Sequence, residues 1–150
     1  MKVVVEYFNV ELNKVVEAAK RVLENFDVVE VAVLIGSVLR RDFVRDVDIG
    51  LITSRPLTME ELNRVASRLE AEIGVPVDLV PLDEAPPLLR YKALAEGVKI
   101  VVKNPRIYHY TLSESLMELQ DMEMKMKMMK QYIQKASKNI ATETVSNQPI

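Results

Sequence analysis

The segment Asp46-Val47-Asp48-Ile49-Gly50-Leu51-Ile52 constrains the fold more than any other part of this 150-residue chain. Val47, Ile49 and Leu51 read as β-strand, a conformation that disfavours aspartate. The strand period of two sends these three side chains to one face, with Asp46 and Asp48 on the other. The apolar face calls for covering helices, while the acidic face has to remain open. Val77-Asp78-Leu79 repeats the pattern, with Asp78 opposite its apolar neighbours. With this strand beside the first, three carboxylates converge on an open sheet face.

The neighbouring segments alternate between the helical and the strand period. Residues 10–26 place Val10, Leu12, Val15, Val16, Ala19 and Leu23 at mostly helical spacing. Val28 to Ile35 is a nearly continuous β-branched run, suited to a central strand, and ends at Gly36-Ser37. Val47 to Ile52 is the second strand. Thr58-Met59-Glu60-Glu61 is a capping box, so a helix is expected from there through about Ile73, stopping at Gly74. Val75 to Leu82 is a third strand, interrupted near its start by Pro76. Pro86-Pro87 opens a short helix that Gly97 closes, and Val98 to Val102 is the last strand. The predicted fold class is α/β (α+β): a mixed sheet of about four strands with helices on one face.

Near residue 105 the composition changes. All nine arginines lie at or before Arg106, whereas six of the eight methionines lie from Met117 onward. Leu112, Leu116, Leu119, Met122, Met126, Met129, Ile133, Ala136 and Ile140 recur every three or four residues, which predicts a helix with one apolar seam. The expected organisation is a body at residues 1–104, a helical extension at 105–140 and a flexible tail at 141–150. The seam points to packing against the body, a homodimer or a partner protein, and Met-rich faces are adaptable binding surfaces.

Composition removes several chemistries. The chain has no cysteine and a single histidine, His109, which excludes thiol catalysis, Cys-type zinc sites and His-cluster metal sites. His109, between Tyr108 and Tyr110, reads as a surface or packing residue. Lys plus Arg is 20 against 22 Asp plus Glu, without the basic excess of a general nucleic-acid binder, so no direct nucleic-acid binding is expected. No apolar run approaches the length of a membrane span and the N-terminus has no signal-like segment, so a cytoplasmic protein without membrane association is expected.

Oxygen donors without histidine or cysteine suit Mg²⁺, or Mn²⁺, rather than zinc. A divalent cation also relieves the repulsion among Asp46, Asp48 and Asp78. Gly36 lets the backbone turn closely around a ligand, Ser37 offers an N–H and a hydroxyl to a phosphate, and Arg40 adds charge-assisted bonds. Arg41 and Arg45 read as a solvated basic loop. Together these are the parts of a nucleotidyl-transfer site, in which an acceptor attacks the α-phosphorus of a cradled triphosphate.

This order, strand, Gly36-Ser37, Asp46-x-Asp48 and a later Asp78 on a neighbouring strand, resembles the nucleotidyltransferase superfamily of DNA polymerase beta. The block from Asp78-Leu79-Val80-Pro81-Leu82-Asp83-Glu84-Ala85-Pro86-Pro87 to Gly97 is similar to the minimal nucleotidyltransferases (MNT), the antitoxins of MNT–HEPN toxin–antitoxin pairs. The resemblance covers roughly residues 10 to 105. It implies a nucleotidyltransferase fold, two Mg²⁺ ions, ATP as donor, and transfer of AMP to a HEPN-type toxin, commonly onto a tyrosine. By position it assigns Gly36 and Ser37 to the triphosphate, Asp46 and Asp48 to both metals, and Asp78 to activation of the acceptor hydroxyl. There are departures. Eight residues, Val38 to Arg45, separate Ser37 from Asp46, where the branch usually has ten. Arg40-Arg41 replaces its usual Arg-Gly, and Arg45 stands where a Ser often precedes the first Asp.

The leading expectation is therefore an antitoxin enzyme that transfers AMP from ATP to a hydroxyl of a HEPN toxin. The alternative is an MNT-fold antitoxin with weak or no catalysis that neutralises its partner by binding. A third reading, a small-molecule nucleotidyltransferase, ranks last because only about 45 residues remain after the body for a second substrate-binding domain.

Overall fold

The computed structural model describes residues 8–9, 11–36 and 43–146. Its elements are β1 (Phe8–Asn9), α1 (Leu12–Leu23), β2 (Val29–Ile35), β3 (Phe43–Val44), β4 (Val47–Thr53), α2 (Met59–Ile73), β5 (Val77–Pro81), α3 (Pro87–Glu96), β6 (Val98–Val102) and α4 (Pro105–Ser146). Strands β5, β4, β2 and β6 form, in that order, a four-stranded mixed sheet. β2 runs antiparallel to both β4 and β6, and β4 runs parallel to β5 through the α2 crossover. β1 and β3 make a separate two-stranded ribbon, Phe8 opposite Val44. This is the expected mixed four-strand architecture, with a long C-terminal helix.

Local chemistry sets the helix ends. Thr58 accepts the Glu61 N–H while the Glu61 carboxylate accepts the Thr58 N–H, which closes the expected capping box. Arg55 grips the same carboxylate with a two-pronged bond of 3.0 and 2.7 Å. α2 ends at Gly74, whose φ of 84° is the left-handed cap. α1 is shorter than the 10–26 pattern suggests. The Lys103 ammonium donates to the Leu23 and Phe26 carbonyls at 3.0 and 2.8 Å, satisfying the helix end from 77–80 residues away. β5 is likewise shorter than Val75–Leu82, because Leu82–Glu84 turns into a single 3₁₀ turn.

Gly97 does follow α3, but with φ near −70° rather than in a left-handed cap. A side chain there would run into the Ala93 carbonyl and sit 3.0 Å from the Leu34 carbonyl. The glycine permits a close approach of helix and sheet, not a reversal of the chain.

Both sheet faces carry helices, which extends the expectation of one covered face. On the first, Val15, Ala19, Val22 and Leu23 of α1 and Val65 and Leu69 of α2 pack on Val29, Ala32 and Leu34 of β2 and Val47, Ile49 and Leu51 of β4. On the second, Val31, Val33 and Ile35 of β2 and Ile52 of β4 meet Leu82 of the 3₁₀ turn, Ala93 and Leu94 of α3 and Tyr108 of α4. The cause is already in β2: from Val31 to Ile35 the strand is apolar on both sides and needs two covers. The Tyr108 hydroxyl donates to the Leu94 carbonyl, one of the carbonyls that the end of α3 leaves unbonded. Among the described residues every buried side-chain N or O atom has a hydrogen-bond partner.

α4 starts at Pro105, and Asn104 caps it by accepting the Ile107 N–H. The described residues up to Ser115 form one compact unit, and those from Leu116 onward form a second. In the second unit Met122, Met126, Met129, Ile133 and Ile140 are exposed. No described helix is long and apolar enough to cross a membrane.

Candidate active site

Asp48 sits in β4 with Ile35 of β2 opposite it on one side and Asp78 of β5 opposite it on the other. Val47, Ile49 and Val77 belong to the core under α1 and α2, and Leu79 packs against it. Strand alternation therefore turns Asp48 and Asp78 to the opposite face, as neighbours on adjacent parallel strands. Asp46 immediately precedes β4. Asp46 and Asp48 are half-buried, and Asp78 is exposed.

The electrostatics register this grouping. The Asp48 carboxyl is pushed up from 3.8 to about 6, first by burial, then by the charge of Asp46, then by that of Asp78. All three acids thus act on one point at the N-terminal ends of β4 and β5. Ile35 leads into Gly36, whose φ is +84°. A Cβ on Gly36 would lie 2.5 Å from Asp48 Oδ2. The end of β2 and the Asp48 carboxylate are therefore in direct apposition, and only glycine meets both demands. Ser37 and Arg40, the other two residues predicted for phosphate binding, lie outside the described residues.

Two features of the sheet were not foreseen. Gly50, one strand period beyond Asp48 on the same face, lies under the Leu82 side chain, which a Cβ there would meet at 3.1 Å. Its signal in the sequence is a glycine inside a strand. Arg90 holds this cover in place, donating to the Leu82 and Ala85 carbonyls at 3.1 and 2.9 Å. Within two residues the face changes from acidic to apolar, and this places Asp48 at the edge of a low-dielectric wall. Asp83 is the second feature. Burial raises its carboxyl above the ordinary value, opposed by a hydrogen bond from the Thr53 backbone. Asp83 lines a cleft of about 320 Å³ with Leu51, Thr53, Arg55 and Leu62, at the C-terminal ends of β4 and β5. That is the sheet end away from Asp48 and Asp78.

Among the described residues no group of three or more His, Asp or Glu side chains is set to hold a metal ion. The donor set nevertheless fits magnesium, which characteristically takes one or two carboxylates and completes its shell with water and substrate phosphates. Asp48 and Asp78, facing each other in register with a third acid beside them, are such a partial set.

Comparison with known proteins agrees with this geometry. The family model described as "Polymerase beta, Nucleotidyltransferase" matches residues 17–106. The chain belongs to that family. The match takes in β2, β4 and β5, and so all of Gly36, Asp46, Asp48 and Asp78. A search of curated proteins gives no match. Among solved structures the nucleotidyltransferase fold is shared with a chain of the toxin–antitoxin pair MntA–HepT, 15% identical with a TM-score of 0.61, over 83% of this chain and 99% of that one. A chain of a toxin–antitoxin crystallised with AMP-PNP is 18% identical, TM-score 0.61, over 81% and 97%. A chain from the tri-AMPylated HEPN toxin of Shewanella oneidensis in complex with MNT antitoxin is 15% identical, TM-score 0.59, over 79% and 98%.

Proposed function

We propose that this protein is a Mg²⁺-dependent nucleotidyltransferase that moves AMP from ATP to a hydroxyl group of a HEPN-type toxin, and so acts as its antitoxin. The observation that carries the reading is the apposition of Gly36, Asp48 and Asp78 on one sheet face, with Asp46 beside them. Membership of the polymerase beta nucleotidyltransferase family supports the reaction class. The choice of partner follows the fold likeness to chains crystallised as toxin–antitoxin pairs, one with AMP-PNP and one with an AMPylated HEPN toxin.

The chain's own residues divide the work. Gly36 brings the backbone close enough for the triphosphate to lie against the end of β2, with Ser37 and Arg40 as its further partners. Asp46 and Asp48 hold the metal ions, two Mg²⁺ with Mn²⁺ as a substitute. When bound, the metal neutralises charge on the phosphates and orients the reacting oxygens in line. Asp78, the most exposed of the three acids, takes the proton of the incoming hydroxyl as its oxygen bonds to the α-phosphorus. The bond from that phosphorus to the departing pyrophosphate breaks in the same displacement.

A second reading rests on the eight residues between Ser37 and Asp46, two fewer than the antitoxin branch usually has. In it the protein keeps the fold, binds the toxin and transfers AMP poorly or not at all. Incubation with labelled ATP, Mg²⁺ and a HEPN-type toxin that the chain binds separates the two. Label on the toxin with wild type, absent with Asp46→Ala/Asp48→Ala, supports the enzyme. No label, together with tight binding by both proteins, establishes the binder.

A further inference from the structure

From Leu119 onward the exposed part of α4 keeps an unbroken heptad, with apolar side chains at Leu119, Met122, Met126, Met129, Ile133, Ala136 and Ile140 in steps of three and four. Three heptads with charged flanks are the pattern of a coiled coil. The charges are segregated along the helix. Glu114, Glu118, Asp121 and Glu123 occupy one stretch that contains no Lys or Arg. Lys125, Lys127, Lys130, Lys135 and Lys138 occupy the next, which contains no acid.

This segregation selects the occupant and its direction. In a parallel pair of this helix, the flanking positions place Glu118 opposite Glu123 and Lys125 opposite Lys130, and both contacts repel. In an antiparallel pair Glu123 faces Lys130 of the other copy, twice by symmetry. The same register layers Met126 on Met129, Met122 on Ile133 and the large Leu119 on the small Ala136, so every seam residue from Leu119 to Ala136 meets another seam residue. We infer that residues 119–136 pair antiparallel with the same segment of a second copy of this chain, through the Leu/Met/Ile seam and the Glu123–Lys130 contacts. The segment is about 27 Å long at 1.5 Å per residue. Two such seams bury on the order of 1,000 Å², where specific interfaces begin. The methionines adapt to one another across the two-fold axis. The inference does not depend on the proposed transfer reaction.

The chain has no cysteine, so single substitutions can report the register. Met122→Cys and Ile133→Cys are each prepared alone and then mixed under oxidising conditions. Antiparallel pairing yields a disulfide-linked dimer in the mixture and little in either variant alone, since each cysteine lies about 16 Å along the axis from its own copy. Sedimentation equilibrium of the wild type is expected to give twice the 17.1 kDa chain mass at micromolar concentration. Lys130→Glu should raise the dissociation constant about tenfold, and adding Glu123→Lys should restore it. Either of two results overturns the inference. One is a 17.1 kDa species up to about 100 µM, the result also expected if a toxin alone occupies this seam. The other is self-linking of Met122→Cys, which means parallel pairing.

Discussion

Replacing Asp48 with asparagine should stabilise the metal-free protein at neutral pH. The Asp48 carboxyl is raised from 3.8 to about 6 in the folded chain, so the folded state binds its proton more tightly than the unfolded state does. The sign follows from this. The favourable protonated form is complete below about pH 4, and its stabilisation is lost as the pH rises from there through about 6. A tenfold change in proton affinity is worth about 1.4 kcal/mol, which sets a ceiling of about 3 kcal/mol above pH 6. Asp48 is only half-buried, and solvent screening reduces this to roughly 1–2 kcal/mol. Asparagine has the same shape and no charge to lose.

The assay is thermal unfolding followed by circular dichroism, with EDTA present. Asp48→Asn should melt about 3–6 °C above wild type at pH 7.5, and the difference should shrink by about half at pH 4.5. Millimolar Mg²⁺ should raise the wild type more than the variant, since the wild type has one more carboxylate charge to neutralise. A variant no more stable than wild type at pH 7.5 in EDTA would refute the claim that burial and the neighbouring acids disfavour the Asp48 carboxylate. A difference that does not change with pH would refute the assignment of the effect to Asp48 ionisation.

Three further outcomes rest on separate contacts. Gly36→Ala should lower stability by about 1–3 kcal/mol in urea denaturation and abolish AMP transfer, because the left-handed φ is strained and the new methyl displaces Asp48. Tyr108→Phe should cost about 1–2 kcal/mol in the same experiment, by leaving the Leu94 carbonyl without its donor in a buried site. Thr58→Ala should cost about 1 kcal/mol, with hydrogen exchange in the first turn of α2 accelerating before that of the sheet.

The fold was legible where a local rule and the global packing agree. The capping box at Thr58, the stop at Gly74 and the bounds of β6 need only neighbouring residues to be read. The alternation in Val47-Asp48-Ile49 and Val77-Asp78-Leu79 was enough to send Asp48 and Asp78 to one face, and the parallel pairing of β4 with β5 puts them in register. What was hidden depends on distant partners. Lys103 ends α1 from the far end of the body, and nothing near Leu23 announces it. The close approach explaining Gly97 involves Leu34, more than sixty residues earlier. Leu82 over Gly50 is likewise a tertiary contact, so the sequence shows the glycine but not its cover.

That cover connects stability to binding. Leu82 and the helices behind it lower the dielectric on one side of Asp48, which strengthens the repulsion it feels from Asp46 and Asp78. The same wall strengthens attraction to any cation placed between the acids. Repulsion from Asp46 and Asp78 makes up a part, second to burial, of the roughly 1–2 kcal/mol by which the ionised Asp48 destabilises the empty site, and that part is returned when a cation binds, since ligand affinity and folding stability are linked through the same state. On that scale the acid cluster gains at most about tenfold in cation affinity over carboxylates that do not repel. The proposed metal site is therefore strained when empty, and Asp48→Asn should reduce Mg²⁺ affinity by at least that factor while it raises the melting temperature. A variant that gains stability and keeps full Mg²⁺ affinity would separate the two effects and remove Asp48 from the metal site.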